Sequence, residues 1–419
     1  MVAKNRRFEI VKIRLFLGVM MSTLCTSITA ADGPAARYIE AQLRVVRSLD
    51  AQIVPLADAA DESASRLLAG GSIFLAGEKG IVSELLGRAG GLCAAKPLAL
   101  DKPLPPLTRN DVVLLSDYGS PGTLDMALEK LSPFGALVIV FASAEHPMLR
   151  QTPAANVRAV PVDIPLDSRL VRLASGESLI PTAPPAISAA EWAYVAELLG
   201  ACRRHHKQLA VYLSIRLDEG RRRFNRTKGL LFEPDLRPEP VARGECARSF
   251  LAGADRSLQA VRAEELERIR KAAARLREAI SAHRQIARSL MGHLPPTEAG
   301  GSGDVRFFTQ TTRLEGEQGE TWIRENLHEG DVFLFVGYQR NEDAMAAAAN
   351  ALGVRTIFFT STASGPEQMK NPRHIYINPN WPLTDACLEL PGYDVKACPL
   401  SGIMGLTCYY AICAETVSQ

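Results

Sequence analysis

The segment Gly77-Glu78-Lys79-Gly80 separates an apolar run from a helical pattern. A glycine-bounded turn at that junction aims free backbone N–H groups and the positive end of a helix at one point, which is a general way to hold an anion. An ordinary βα turn is the plain alternative. After the next apolar run, Ser116-Asp117-Tyr118-Gly119-Ser120-Pro121-Gly122-Thr123 presents hydroxyls at Ser116, Ser120 and Thr123. The same residues would also make an adequate turn and helix cap. In the second half, Val336-Gly337-Tyr338-Gln339-Arg340-Asn341 has no serine, but Arg340 could hold an anion bidentately. Tyr338 takes a place similar to Tyr118, so both halves would wall a pocket with a phenol. Thr360-Ser361-Thr362 closes the following run with hydroxyls. Nothing is spaced as a Ser-His-Asp or Cys-His set, a zinc cluster, a Walker loop or a dinucleotide fingerprint. No metal or cofactor is expected.

These segments need strands and helices to place them. Apolar residues from Ile39 to Leu67 keep helical spacing, and Gly70-Gly71 ends that helix. Ser72–Ala76, Asp111–Ser116, Ala136–Phe141 and Val157–Val162 read as short buried strands, with helices to Arg88, near Leu124–Leu131 and over Ala189–Gln208. A Pro- and Arg-rich stretch follows, in which Pro234, Pro238 and Pro240 exclude helix and central strand. The spacing then predicts one long helix from Leu266 to Leu290, with His283 on its apolar stripe as a packed core histidine. Val305–Thr309, Asp331–Val336, Arg355–Thr360 and His374–Ile377 read as strands, Trp322–Leu327 and Asp343–Leu352 as helices, and Ser401–Val417 as a closing helix. Apolar strands alternating with helices indicate parallel sheets covered on both faces. The expected fold is therefore α/β, with the second half repeating the plan of the first.

Gly77 through Leu92, with Glu84 on the helix and Arg88-Ala89-Gly90-Gly91-Leu92 after it, resembles the glycine turn and helix of the sugar isomerase (SIS) phosphosugar-binding family. Lys79 and Gly80 replace that family's Gly-His-Ser stretch. The Ser116–Thr123 segment resembles its phosphate loop, with Tyr118 in place of the second serine. Gly292-His293 is similar to the Gly-His missing from the first loop, although no strand is evident before it. The resemblance implies two three-layer α/β/α units with parallel sheets, arranged as an internal pseudo-dimer: 32–217 and 255–419, joined by a connector over 218–254. It implies binding of a phosphosugar or an acidic amino-sugar near the strand C-termini, by Gly77, Glu78, Lys79, Arg88, Ser116, Tyr118, Gly119, Ser120, Thr123, Tyr338, Arg340, Ser361 and Thr362. Aldose–ketose isomerisation needs a base that moves a proton between neighbouring carbons, and Glu84 is the candidate. Arg223, Arg226 and Lys228 in the connector could reach over a ligand's charge, or belong to a solvated linker. The competing expectation is a non-catalytic extracytoplasmic protein that kept the fold and lost phosphate binding, since Tyr118 and Tyr338 replace the loop serines.

The bulk properties narrow the partners. Net charge is +2, with 48 basic and 46 acidic residues spread along 419 positions. That gives no concentrated basic face for nucleic acid. Residues 1–31 pair basic positions at Lys4, Arg6, Arg7, Lys12 and Arg14 with a short apolar run and small residues, the pattern of a secretory signal peptide. Export is expected, with no membrane span in the mature chain and a homo-oligomer possible. Of 8 cysteines, removing Cys25 leaves an odd set without zinc spacing, read as small core residues.

Overall fold

The computed structural model describes residues 33–150, 154–215, 217–338, 343–361, 371–382 and 384–418. The signal-peptide reading of 1–31 therefore falls outside the described residues, as do Arg340 and Thr362.

Two helices open the chain, α1 (Gly33–Ser48) and α2 (Ile53–Leu68), with a 3-10 turn at Leu49–Gln52 between them. One continuous helix was expected here. Pro55 explains the break: it has no N–H to give, and its ring would strike the carbonyl four residues back. The chain then builds β1 (Ile73–Gly77), α3 (Lys79–Leu85), β2 (Lys96–Pro97), β3 (Val112–Ser116), α4 (Thr123–Leu131), β4 (Leu137–Ser143) and β5 (Val157–Val162). The strands form one parallel sheet in the order β2-β1-β3-β4-β5. A hairpin, β6 (Arg169–Arg172) and β7 (Ser178–Pro181), leads into α5 (Ala183–Arg204). Pro184 and Pro185 are tolerated because they sit in its first turn.

The stretch read as a connector holds two helices, α6 (Asp218–Thr227) and the first part of a longer one, α7 (Glu245–Ala260). The three prolines fall between them, in residues without helix or strand. A π turn at Val261–Glu265 joins α7 to α8 (Leu266–Ser281). Here the expected long helix is corrected. His283 takes a left-handed φ of 51° and is exposed rather than packed in the core. Ile286–Leu290 is then a strand, β8, fully buried between its neighbours. Ala287 and Leu290 continued the three-and-four spacing only by coincidence.

The second sheet has the order β12-β11-β10-β8-β9, again all parallel. Its strands are β8, β9 (Gln310–Thr312), β10 (Val332–Val336), β11 (Arg355–Phe359) and β12 (His374–Ile377), with α9 (Leu294–Glu298), α10 (Gly316–Asn326) and α11 (Asp343–Ala351) between them. The strand expected at Val305–Thr309 lies later, at β9. Phe308 is used instead to cover the buried side chains of Arg288 and Tyr409, with Phe307 packed beside it. A second hairpin, β13 (Ala386–Leu388) and β14 (Ala397–Pro399), precedes the closing helix α12 (Ser401–Val417).

Strand alternation divides the core into layers. Leu75, Leu114 and Ile139 of the first sheet share one cluster with Leu290, Leu334 and Ile357 of the second. Phe74, Val113 and Val138 face the other way, under α4. Phe333, Phe335 and Phe358 do the same under α10 and α11. Between the sheets lie α5 and α12, buried on nearly every side. Their sequences, rich in Ala, Leu, Cys, Ile and Tyr, show no polar face, which is what a helix surrounded by protein needs. Among the described residues no helix is long and apolar enough to cross a membrane.

Candidate functional site

Parallel register places Gly77 beside Ser116, so the two expected ligand loops emerge together at the C-terminal ends of β1 and β3. Their polar groups are already engaged. The Ser116 hydroxyl accepts the Glu78 N–H at 3.1 Å and donates to the Ala76 carbonyl at 3.3 Å. The Tyr118 N–H donates to the Glu78 carboxylate (3.1 Å), and the Gly119 N–H to Asp117 (2.8 Å). The Tyr118 hydroxyl donates to Glu298 Oε1 at 2.9 Å. Glu298 comes from the end of α9, in the other half, and lies so close to Gly80 that a Cβ there would stand 1.6 Å from its oxygen. The first loop therefore meets three of the chain's own carboxylates where an anion was expected. Lys79, Ser120 and Thr123 are exposed at its rim. Burial pushes the Glu298 carboxyl up to about 7, with the Tyr118 bond pulling back and the Glu78 charge pushing further. Burial raises Glu78 as well.

Glu84 and Arg88 turn away from that loop. Glu84 is fully buried on α3, ion-paired with Arg88 and accepting the Trp192 indole N–H at 3.3 Å. Its carboxylate rests on the first turn of α12, where a Cβ at Gly402 would come within 2.3 Å of it. The Arg88 guanidinium also reaches Asp385 Oδ2 (2.5 Å) and the Ser401 hydroxyl (2.7 Å). Asp385 in turn accepts the Ser401 N–H at 2.6 Å and the Leu400 N–H at 3.2 Å, capping α12 from outside. Burial and the Asp385 charge push the Glu84 carboxyl up to about 7, against the pull of Arg88, whose cation the two acids stabilise.

On the far side of Arg88 opens a cleft of about 330 Å³. Polar groups of Arg88, Ser214, His293, Arg313, Tyr338 and Asp385 converge on it, with Tyr212, Phe224 and Met291 as its apolar wall. Tyr212 and Phe224 stack with ring centroids 5.3 Å apart. The cleft lies where β8 and β10 end, the usual place for ligands in open α/β sheets. A roomier hollow of about 500 Å³ sits instead on the outer face of the first sheet, lined by residues such as Val138, Val140 and Val157.

His293 follows β8 and Gly292 as Glu78 follows β1 and Gly77. Its Nδ1–H donates to the Ser83 carbonyl at 3.0 Å, which leaves Nε2 as an acceptor. Burial, with Arg88 and Arg313 nearby, lowers this imidazole to about 4, so it is neutral at pH 7. The two short helices thus serve each other's halves. Ser83 of α3 orients His293, and Glu298 of α9 holds Tyr118. The strand before Gly292-His293, not evident from the sequence, was hidden by the false continuation of α8. Arg313, Ser214, Tyr212 and Phe224 carried no local signal.

Of the other expected residues, Tyr338 lines the cleft, and Ser361 donates to the Tyr338 carbonyl at 3.0 Å from the neighbouring strand end. Glu84, expected as the base, lines none of the cleft and meets it only through Arg88. Arg223 does not reach over a ligand. It is buried against Glu233, Tyr393 (2.6 Å) and the Val211 carbonyl (3.1 Å), while Arg226 is exposed and Lys228 lies over Phe224. Among the described residues no group of three or more His, Cys, Asp or Glu is placed to hold a metal ion.

No family model matches the chain, and no curated protein does. Solved structures do. Tagatose-6-phosphate ketose/aldose isomerase from Escherichia coli is similar at 12% identity and a TM-score of 0.47, over 94% of each chain. The C-terminal domain of glucosamine-fructose-6-phosphate aminotransferase from Francisella tularensis gives 11% identity and 0.44, over 93% of this chain and 98% of that one. A phosphoheptose isomerase from the same organism gives 11% and 0.32, over 43% of this chain and all of its own. These are likenesses of architecture. Identities this low carry no residue roles across.

Two measurements check the site. Gly402→Ala forces a methyl group into the Glu84 carboxylate, and should cost about 1–3 kcal/mol in urea unfolding. The second concerns Glu298. A carboxyl raised from 4.5 to about 7 binds more protons in the folded state, so its favourable contribution is lost as pH rises through that window. His293, lowered from 6.5 to about 4, has the opposite slope, and its contribution is lost as pH falls. The stability of Glu298→Gln relative to wild type should therefore improve between about pH 4.5 and 7. A difference that stays flat across that range would contradict the burial of Glu298.

Proposed function

We propose that the chain binds an acidic carbohydrate derivative, a phosphosugar or an acidic amino-sugar, in the cleft at the ends of β8 and β10. The observation that carries this reading is the exposed Arg313 guanidinium beside a stacked aromatic wall in one open cleft, with the buried Arg88–Asp385 pair behind it. Arg313 is exposed there, and its guanidinium donates to the Gly292 carbonyl at 3.1 Å. The remaining N–H groups of such a fork suit a phosphate or carboxylate. The apolar C–H face of a sugar ring packs against Tyr212 and Phe224. Neutral His293 and the Tyr338 and Ser214 hydroxyls supply the donors and acceptors that sugar hydroxyls require.

Binding without turnover is the version the geometry supports better. Moving a proton between adjacent carbons needs a base that touches substrate. Glu84 is sealed behind Arg88, and His293 holds a proton only weakly. Isomerisation, the second reading, would use Nε2 of His293, the one histidine among the described residues that line the cleft.

A thermal-shift panel tests the proposal. Sugar phosphates and acidic amino-sugars should raise the melting temperature, and the parent neutral sugars should do so far less. Arg313→Leu should weaken the best ligand by about tenfold or more, the loss of one charged hydrogen-bond partner. A panel in which no acidic sugar moves the transition would end this reading. Ketose formed from a bound aldose phosphate by wild type, and not by His293→Gln, would favour the isomerase over the binding protein.

A further inference from the structure

Hairpin β13–β14 pairs Ala386 with Pro399 and Leu388 with Ala397 in antiparallel register. That register sets Cys387 opposite Cys398, between the two paired positions. Residues opposite each other in such a pair have Cα atoms about 4.5–5.5 Å apart, within the span that a disulfide bridges. The Cys387 sulfur already lies 3.5 Å from the Cys398 carbonyl. Cys398 donates its N–H outward to Gly90 (2.9 Å) instead of across the hairpin. It also holds a φ of 60°, a left-handed conformation that a residue with a Cβ keeps only when its surroundings impose it.

We propose that Cys387 and Cys398 form an intrachain disulfide, made while the chain folds in an oxidising medium. Two thiol–disulfide exchanges supply it. One cysteine thiolate attacks a small disulfide such as oxidised glutathione, giving a mixed disulfide and one thiol. The second cysteine then displaces the other half, so that an S–S bond forms, the two thiol protons end on the released thiols, and the small disulfide takes up the two electrons. Burial supports formation during folding over later switching. It pushes the Cys387 thiol up to about 12, against the pull of Arg256 and Lys396, and raises the Cys398 thiol well above its ordinary range. Thiolate is thus scarce once both thiols are enclosed, with Cys387 against Gly253 of α7.

The bond would matter to the cleft. Asp385 lies just before β13 and Ser401 just after β14, and these two residues hold Arg88. A cross-link between the strands fixes the distance between the two ends of the hairpin, and with it the seat of that guanidinium. This inference is independent of which ligand the cleft takes.

The test starts from chain that is unfolded and reduced, then refolded in a glutathione redox buffer, alkylated and digested with trypsin. Lys396 lies between the two cysteines, so cleavage there leaves only a disulfide to join 374–396 to 397–419. The expected result is that linked pair, assigned by fragmentation to Cys387 and Cys398 rather than Cys408 or Cys413. Reductant should lower the melting temperature of wild type by several degrees and leave Cys387→Ser unmoved. Alkylation of both thiols, or a link from either to the neighbouring Cys246, would overturn the proposal. Should Cys387→Ser fail to refold, Cys246→Ser decides instead, since it must keep the Cys387–Cys398 link.

Discussion

Arg88 is a cation placed where water cannot reach it, and much of the molecule is arranged around that fact. A guanidinium removed from water has to meet counter-charge and acceptors in full, because leaving one unpaired costs several kcal/mol. Glu84 comes from α3, four residues back, and Arg88 lies just past the end of that helix. Asp385 and Ser401 come from the opposite half of the chain. The pair of acids gives more negative charge than one cation needs, which is why burial can lift Glu84 to about 7. The surplus is shared out locally. Trp192 donates to Glu84, and two backbone N–H groups at the start of α12 donate to Asp385. Helix dipole, indole and guanidinium therefore act on one cluster, and the two halves are joined by charge as well as by apolar area.

The same exchange across the halves, repeated by α3 and α9, has opposite results at the two strand-end sites. In the first, the element lent by the other half is a carboxylate. Glu298 joins Glu78 and Asp117 around Tyr118, and the loop's N–H groups bond to the chain itself. In the second, the lent element is the Ser83 carbonyl together with Arg88. His293 is held neutral and the space beside it stays open. The plan is duplicated, but the charge in the two sites is not.

Much of the scaffold was legible because buried parallel strands have to be apolar throughout. β1, β3, β4, β10, β11 and α12 stand close to where their sequence patterns put them. β8 was not legible, because its inner face carries Arg288, which breaks an apolar run. That arginine is satisfied by Asp304, Thr311 and Tyr409, all farther along the chain. Glu84 and Arg88 stand four apart, which would put both on one face of a helix running to Arg88, but α3 ends at Leu85. Their spacing does not say whether that face meets ligand or protein. Only the partners from Trp192, Asp385 and Gly402 decide it, and those contacts join distant segments. Arg223 shows the same ambiguity in a basic run. Its neighbours Arg221 and Arg222 pair locally with Asp218 and Glu219, whereas it turns inward to Glu233 and Tyr393.

A glycine turn at a helix start is a donor set, and what it holds depends on the charge nearest to it. At Gly77–Gly80 that charge is the side chain of Glu78 itself, folded back onto the Tyr118 N–H. An incoming phosphate would have to displace one carboxylate and approach two more, Asp117 and Glu298, in a site too dry for water to screen them. At Gly292–His293 the nearest charges are Arg88, Arg313 and Asp385, and the neutral imidazole adds none. Two turns of similar shape therefore differ by several charges in what they present. That difference in charge, more than the presence or absence of a particular serine, separates the two turns.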